Sequence, residues 1–74
     1  WRIEQVVAGT GAAGQTIDDL AIRERTGALL LALRRTPGAR LEANPRGDLV
    51  VPEGAILIAL GTPSEIAALT RMIG

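Results

Sequence analysis

The chain has 74 residues, which is enough for one domain, and its eight basic residues balance its eight acidic ones. Because the net charge is zero, the excess of positive charge typical of nucleic-acid-binding proteins is missing, although every basic residue is an arginine. The absence of cysteine and histidine excludes disulfides, thiolate metal sites and the most common general base.

The chain begins with a strand and a glycine-rich loop. Residues 1–8 alternate loosely between apolar and polar side chains and predict the first strand. Residues 9–14, GTGAAG, have the G-x-G-x-x-G spacing of a dinucleotide-binding fingerprint. We reject that interpretation because the following helix is too short and no parallel strand with an acidic end follows at the expected spacing. The segment is predicted to be a flexible loop.

A short helix and a buried strand come next. Thr16 is expected to cap the N-terminus of the helix, and Asp18 and Asp19 are favourable in its first turn. Gly27 can adopt the positive φ that a tight exit from the helix needs. The continuous apolar run at 28–33 predicts a strand that is buried on both faces.

Turn-forming residues divide the middle of the chain. Residues 36–38, TPG, predict a turn, after which residues 39–42 are expected to return as a short hairpin partner. Pro45 restricts Asn44 to an extended or turn conformation. Residues 49–51 are predicted to form a brief extended piece before another turn.

The chain ends with a second buried strand and a well-marked helix. Residues 55–60 form an apolar run of strand length. Thr62, Pro63 and Glu65 have the spacing of a capping box, with proline at a position where its missing N–H costs nothing. The predicted order is β-α-β-β-β-α, a small α+β domain with a mixed or antiparallel sheet and two helices. Residues 1–74 are predicted to be this single domain.

Few side chains in the sequence are suited to catalysis. Cysteine, histidine, tyrosine and lysine are absent, and Ser64 belongs to a helix start where no base can activate it. Asp18 and Asp19 are adjacent, so on a helix they point about 100° apart and do not converge on one substrate. We therefore expect no enzymatic activity, no metal site and no cofactor.

Two groups of charged residues have more than one interpretation. The cluster Arg23-Glu24-Arg25 is either a solvated turn, with a surface ion pair that contributes about 0–1 kcal/mol, or a contact for an anion or phosphate. Arg34 and Arg35 are open to the same two interpretations. Charges at the end of a strand also protect its edge against unwanted pairing.

Several short motifs occur in an order that is typical of one family. They are TIDDL at 16–20, IRERTGA at 22–28, ALRR at 32–35, Asn44-Pro45, Gly54 and ILIALG at 56–61. With these motifs the sequence resembles, over nearly its whole length, the RCK C-terminal domain, also called the TrkA-C domain, of regulators of potassium conductance. In that family an acid often precedes the Ile-Arg pair and an aspartate follows the glycine. Here these two positions are Ala21 and Ala55.

The resemblance implies a homodimer that follows a Rossmann-like half, so we expect the chain to be part of a longer protein. It implies a cytoplasmic location at the inner face of the membrane, bound or fused to a potassium channel, a potassium uptake system or a cation/proton antiporter. No nucleic-acid polymer is expected as a partner. Some members of the family bind cyclic di-AMP across the dimer interface, through positions that here are Ile22, Arg23, Asn44 and Pro45.

Two functions remain as alternatives. In the first, the domain is a ligand-gated regulator in which Arg23 of each subunit contacts one phosphate of a two-fold-symmetric ligand. Ile22 and Pro45 would then cover the flat faces of the bases. In the second, the domain only dimerises and has no ligand of its own. The alanines at positions 21 and 55, where the family pattern has acids, keep the second alternative open.

Overall fold

The computed structural model describes all 74 residues and contains four strands and three helices. The elements are β1 (Arg2–Val7), α1 (Ile17–Leu20), α2 (Ile22–Thr26), β2 (Leu29–Arg34), β3 (Leu41–Ala43), β4 (Ile56–Gly61) and α3 (Pro63–Ile73). The α+β class and the predicted order of elements are confirmed, and the first helical region consists of two short helices, α1 and α2. None of the helices combines the length and the apolar composition that a bilayer crossing requires.

The four strands form one antiparallel sheet in the order β1-β4-β2-β3. The last strand in the sequence, β4, lies between β1 and β2 and pairs with both. The three-residue strand β3 pairs only with β2 and forms one edge. Because every pairing is antiparallel, the sheet lacks the parallel unit that a dinucleotide fingerprint requires, in agreement with the interpretation of residues 9–14 as a loop.

The helices cover only one face of the sheet. On that face the strands contribute Val6, Leu33, Leu57 and Ala59 to the core, and the helices contribute Leu20, Ile22, Leu69 and Ile73. The strand registers and the alternation of side chains place eleven residues on the opposite face. This open face consists of Ile3, Gln5, Val7, Leu29, Ala32, Arg34, Leu41, Ala43, Ile56, Ile58 and Leu60.

Within one chain, β2 is therefore covered on one face only, and its burial on both faces stays a prediction. On the edge strand β1, Ile3 is 65% exposed and Val7 is 60% exposed, and Leu29 at the start of β2 is 40% exposed. The open face thus carries nine apolar side chains, Gln5 and a single charge, Arg34.

The glycine-rich loop at 9–14 is attached to the end of α3. The Gly9 N–H donates to the Ile73 carbonyl at 2.7 Å, and the Gly11 N–H donates to the Gly74 carbonyl at 3.1 Å. These donors satisfy carbonyls that the end of a helix leaves without partners. A Cβ on Gly9 would lie only 2.7 Å from the Gly74 carbonyl carbon, so the close approach depends on glycine. The loop is thus fixed to the helix end, not free as predicted.

The predicted capping box at the start of α3 is confirmed. The Glu65 N–H donates to Thr62 Oγ1 at 3.3 Å, and the Thr62 N–H donates to Glu65 Oε1 at 2.9 Å. The Glu65 carboxylate also packs against Gly27, which ends α2 with a φ of 83°. One side chain therefore caps α3 and fixes its position against α2.

An exposed ion pair joins the ends of β2 and β3. Arg35 Nε donates to Glu42 Oε2 at 2.7 Å, and Arg35 Nη2 donates to Glu42 Oε1 at 3.2 Å. The hydrogen bonds from Arg35 lower the pKa of the Glu42 carboxyl, and the same bonds raise the pKa of the guanidinium. Arg35 therefore stabilises the hairpin locally.

We expect the pKa of Glu42 to be lower in this chain than in the Arg35→Ala variant, measured by NMR titration of the side-chain carboxyl. Because folding lowers this pKa, the stabilisation is present above the unfolded value of about 4.3 and is lost as the pH falls through the folded value. Arg40→Ala removes an unpaired arginine of the same hairpin and should leave the titration of Glu42 unchanged. Equal pKa values in the chain and in Arg35→Ala would contradict the pairing.

Candidate functional site

One cavity of about 220 Å³ opens beside α1, α2, the start of β2 and the segment that follows β3. It is lined by Ile17, Asp18, Ala21, Ile22, Arg23, Glu24, Leu29, Leu30, Asn44 and Pro45. The four positions singled out from the sequence all lie on this lining: Ile22, Arg23, Asn44 and Pro45. The fold thus brings together two segments that are far apart in the sequence.

The helical wall of the cavity depends on a break at Ala21. This residue ends α1 and starts α2 in the left-handed conformation, with φ 46° and ψ 50°. Its N–H is shared between the carbonyls of Ile17 at 3.3 Å and Asp18 at 3.2 Å. The left-handed region costs a non-glycine residue about 1–2 kcal/mol. The break separates two short helices whose residues line the same cavity.

Arg23 and Ile22 follow the break directly. Arg23 is exposed, and its guanidinium forms no ion pair within the chain. Glu24 and Arg25 are not paired with each other or with Arg23, so the surface ion pair considered for this cluster does not form. Ile22 is 5% exposed and belongs to the core, which limits it to a small apolar part of the lining. The free guanidinium can offer its forked donors to a phosphate or carboxylate.

Asn44 and Pro45 form the side of the cavity that follows β3. Asn44 has a φ of 48°, a conformation that asparagine tolerates better than most residues. Of the two predicted conformations, extended and turn, Asn44 therefore adopts the turn. Its backbone N–H donates to the Leu31 carbonyl at 2.8 Å, which fixes the turn to β2. The exposed side-chain amide has no hydrogen-bond partner in the chain and is available to a ligand.

The sequence prediction missed six lining residues, namely Ile17, Asp18, Ala21, Glu24, Leu29 and Leu30. Asp18 lies there because the first turn of α1 is bound to the loop before Pro52. The Asp18 N–H donates to the Gly47 carbonyl at 2.9 Å, and a side chain on Gly47 would collide with the Asp18 carboxylate. Residues 49–51 do not join the sheet, and Val50 forms only an isolated bridge with Thr16.

The charged groups of the cavity do not neutralise one another. The lining contains one guanidinium, Arg23, and two carboxylates, Asp18 and Glu24, and none of them forms an ion pair. A hydroxyl or thiol nucleophile is absent from the lining. The lining therefore offers binding groups of both signs together with apolar side chains such as Leu29 and Ile17.

Comparisons with known proteins agree with this architecture. The family model of the TrkA-C domain matches residues 2–74. The RCK C domain of the potassium transport protein KtrA, solved in complex with c-di-AMP, has a TM-score of 0.85 and 29% identity, over 93% of this chain and 79% of that chain. The GsuK RCK domain has a TM-score of 0.79 and 25% identity, over 96% of this chain but only 16% of that chain.

A dimer of the RCK_C domain of S. agalactiae BusR in complex with c-di-AMP has a TM-score of 0.84, over 99% of this chain and 96% of that chain. Its identity is 16%, so this likeness shows the fold alone. A comparison with curated protein sequences finds no match. The family match covers every element from β1 to α3, and solved RCK domains share the fold. The chain therefore belongs to the TrkA-C domain family, and it is an RCK C-terminal regulatory domain related to those of potassium transport regulators.

Proposed function

We propose that this chain is the cytoplasmic ligand-sensing domain of a potassium channel, a potassium uptake system or a cation/proton antiporter. It acts by binding and not by catalysis, and its parent or partner protein holds it at the inner face of the membrane. The ligand is cyclic di-AMP, or another small anion, at a homodimer interface. The observation that carries the proposal is the convergence of Ile22, Arg23, Asn44 and Pro45 on one cavity, with Arg23 unpaired. The complex of the KtrA domain with c-di-AMP supports this ligand.

The open face supports the homodimer. Strand spacing and residue rise give it dimensions of roughly 20 Å by 14 Å, or about 300 Å², the size of the largest apolar patch on a typical monomer, which is often functional. Leu29 belongs both to the open face and to the cavity lining. A second copy on the open face would therefore border the cavity, and two-fold symmetry would place a second cavity at the same interface.

The size of the cavity favours a site shared by two subunits. Its volume of about 220 Å³ is below the range of about 300–1,000 Å³ that is typical of small-molecule sites. Two such cavities across a two-fold axis would enclose about twice the volume and would supply two copies of Arg23. A ligand with two phosphates and two bases matches that symmetry. Binding would regulate transport if the ligand had different affinities for two arrangements of the dimer.

The proposal predicts that Arg23→Ala weakens the binding of cyclic di-AMP at least about 10-fold, since a hydrogen bond to a charged group is worth about 1.5–3 kcal/mol. Isothermal titration calorimetry of the purified chain and the variant measures this loss. Arg25→Ala is the matched control because Arg25 is an exposed arginine of the same helix and does not line the cavity. Equal affinities of Arg23→Ala and the unmodified chain would contradict the role of Arg23.

A second candidate function is a purely structural dimerisation module. Two observations favour it: the open face is mostly apolar, which would favour dimerisation whether or not a ligand is present, and the cavity lining has more negative than positive formal charge. This function predicts a stable dimer that gives no heat with cyclic di-AMP at high micromolar concentration. It also predicts that Arg23→Ala leaves the regulation of transport by the full-length protein unchanged.

A further inference from the structure

Asp18 places a negative charge on the cavity lining, where an anionic group of a ligand has no use for it. The Gly47 contacts hold the first turn of α1 against the loop, and Asp18 lines the same cavity as Arg23 and Asn44. Within the chain the carboxylate accepts no hydrogen bond and forms no ion pair. Asp18 is exposed, and because an ionised carboxylate is an acceptor only, a ligand group that binds it must donate an N–H or O–H.

The two signs of charge at the cavity define the chemistry of the ligand. Arg23 suits a phosphate, whereas a phosphate that approached Asp18 or Glu24 would be repelled. A ligand that carries both anionic groups and amino groups can satisfy Arg23 and Asp18 together. The apolar lining residues Ile17 and Leu29 suit a flat heterocycle between these polar ends.

We propose that Asp18 is a specificity-determining residue that accepts a hydrogen bond from the exocyclic amino group of the ligand's base. This inference rests on the proposed function, and it narrows the ligand to a phosphate-bearing molecule whose heterocycle has an amino group. A carbonyl oxygen in place of the amino group would place two acceptors against each other. The site therefore rejects the deaminated base through an unsatisfied, repulsive contact.

The test compares cyclic di-AMP with its deaminated analogue, cyclic di-IMP, in calorimetric titrations of the purified chain, Asp18→Ala and Asp19→Ala. We expect the unmodified chain to prefer cyclic di-AMP at least about 10-fold, the effect of one hydrogen bond to a charged group, and Asp18→Ala to lose most of this preference. Asp19→Ala removes the neighbouring charge of the same first turn, outside the cavity lining, and should keep the preference.

The direction in which Asp18→Ala changes the affinities for the two ligands separates the possible roles of Asp18. If Asp18 only repels phosphates, Asp18→Ala binds both ligands more tightly by the same factor, and the inference is overturned. A preference for cyclic di-AMP that persists in Asp18→Ala also overturns it, but leaves the proposed function intact. If the unmodified chain binds neither ligand, the proposed function fails and the inference fails with it. Circular dichroism melting of each variant shows whether a loss of binding reflects a loss of folding.

Discussion

Gly11→Val should lower the melting temperature of the domain by roughly 10–25 °C, as measured by circular dichroism. A Cβ at this position would collide with the Met72 carbonyl oxygen and would lie 2.9 Å from the Gly74 oxygen and 3.1 Å from the Ile73 carbonyl carbon. All three are backbone atoms at the end of α3, so no side-chain rotation can relieve the collision. Overpacking of about 1–3 kcal/mol, together with the lost Gly11 hydrogen bond, gives a total of about 3 kcal/mol.

This loss is a large fraction of the stability that a domain of this length can have, which is roughly 4–11 kcal/mol. Gly38→Val is the matched control, because a Cβ on Gly38 would have no neighbouring atom within 4 Å and the residue has no positive φ. It should change the free energy of unfolding by no more than about 0.5 kcal/mol. A melting temperature of Gly11→Val within a few degrees of that of the unmodified chain would show that the loop does not cap α3.

Local signals account for what the sequence predicted well. The capping box at Thr62 and Glu65 is formed by residues three positions apart, so its hydrogen bonds depend on no other part of the fold. The apolar runs predicted β2 and β4 to within one residue at each end, because turn-forming residues border both runs. The family motifs supplied four candidate positions, and the fold brings them to one cavity, while their role in ligand binding stays a prediction.

The features that the sequence did not reveal depend on contacts between distant segments. Ala21 has a high helix propensity, so nothing local predicts the left-handed conformation that divides α1 from α2. Asp18 reaches the cavity through its contact with Gly47, a pair that no periodicity connects. The apolar run of β2 predicted burial on both faces, but a run of this kind does not indicate whether the same chain or a second copy covers the open side.

The double variant Ile3→Glu/Val7→Glu should weaken homodimerisation at least about 100-fold, as measured by sedimentation velocity over a concentration series. Both side chains lie on the open face of β1, where they are 65% and 60% exposed in the single chain. The substitutions should therefore leave folding largely intact. In a dimer that covers the open face, each copy would bury two unpaired carboxylates, and an unpaired buried charge costs several kcal/mol.

Val50→Glu is the matched control, since Val50 is 54% exposed and apolar but lies outside the sheet. This variant should dimerise like the unmodified chain. If the double variant also keeps the dimer, the open face is not the interface, and a site shared through Leu29 loses its structural basis. If the dimer is lost, calorimetry of the folded monomer measures how strongly one subunit alone binds cyclic di-AMP. Each monomer retains a cavity of about 220 Å³ with a single lining guanidinium, that of Arg23, so we expect cyclic di-AMP binding to weaken together with dimerisation.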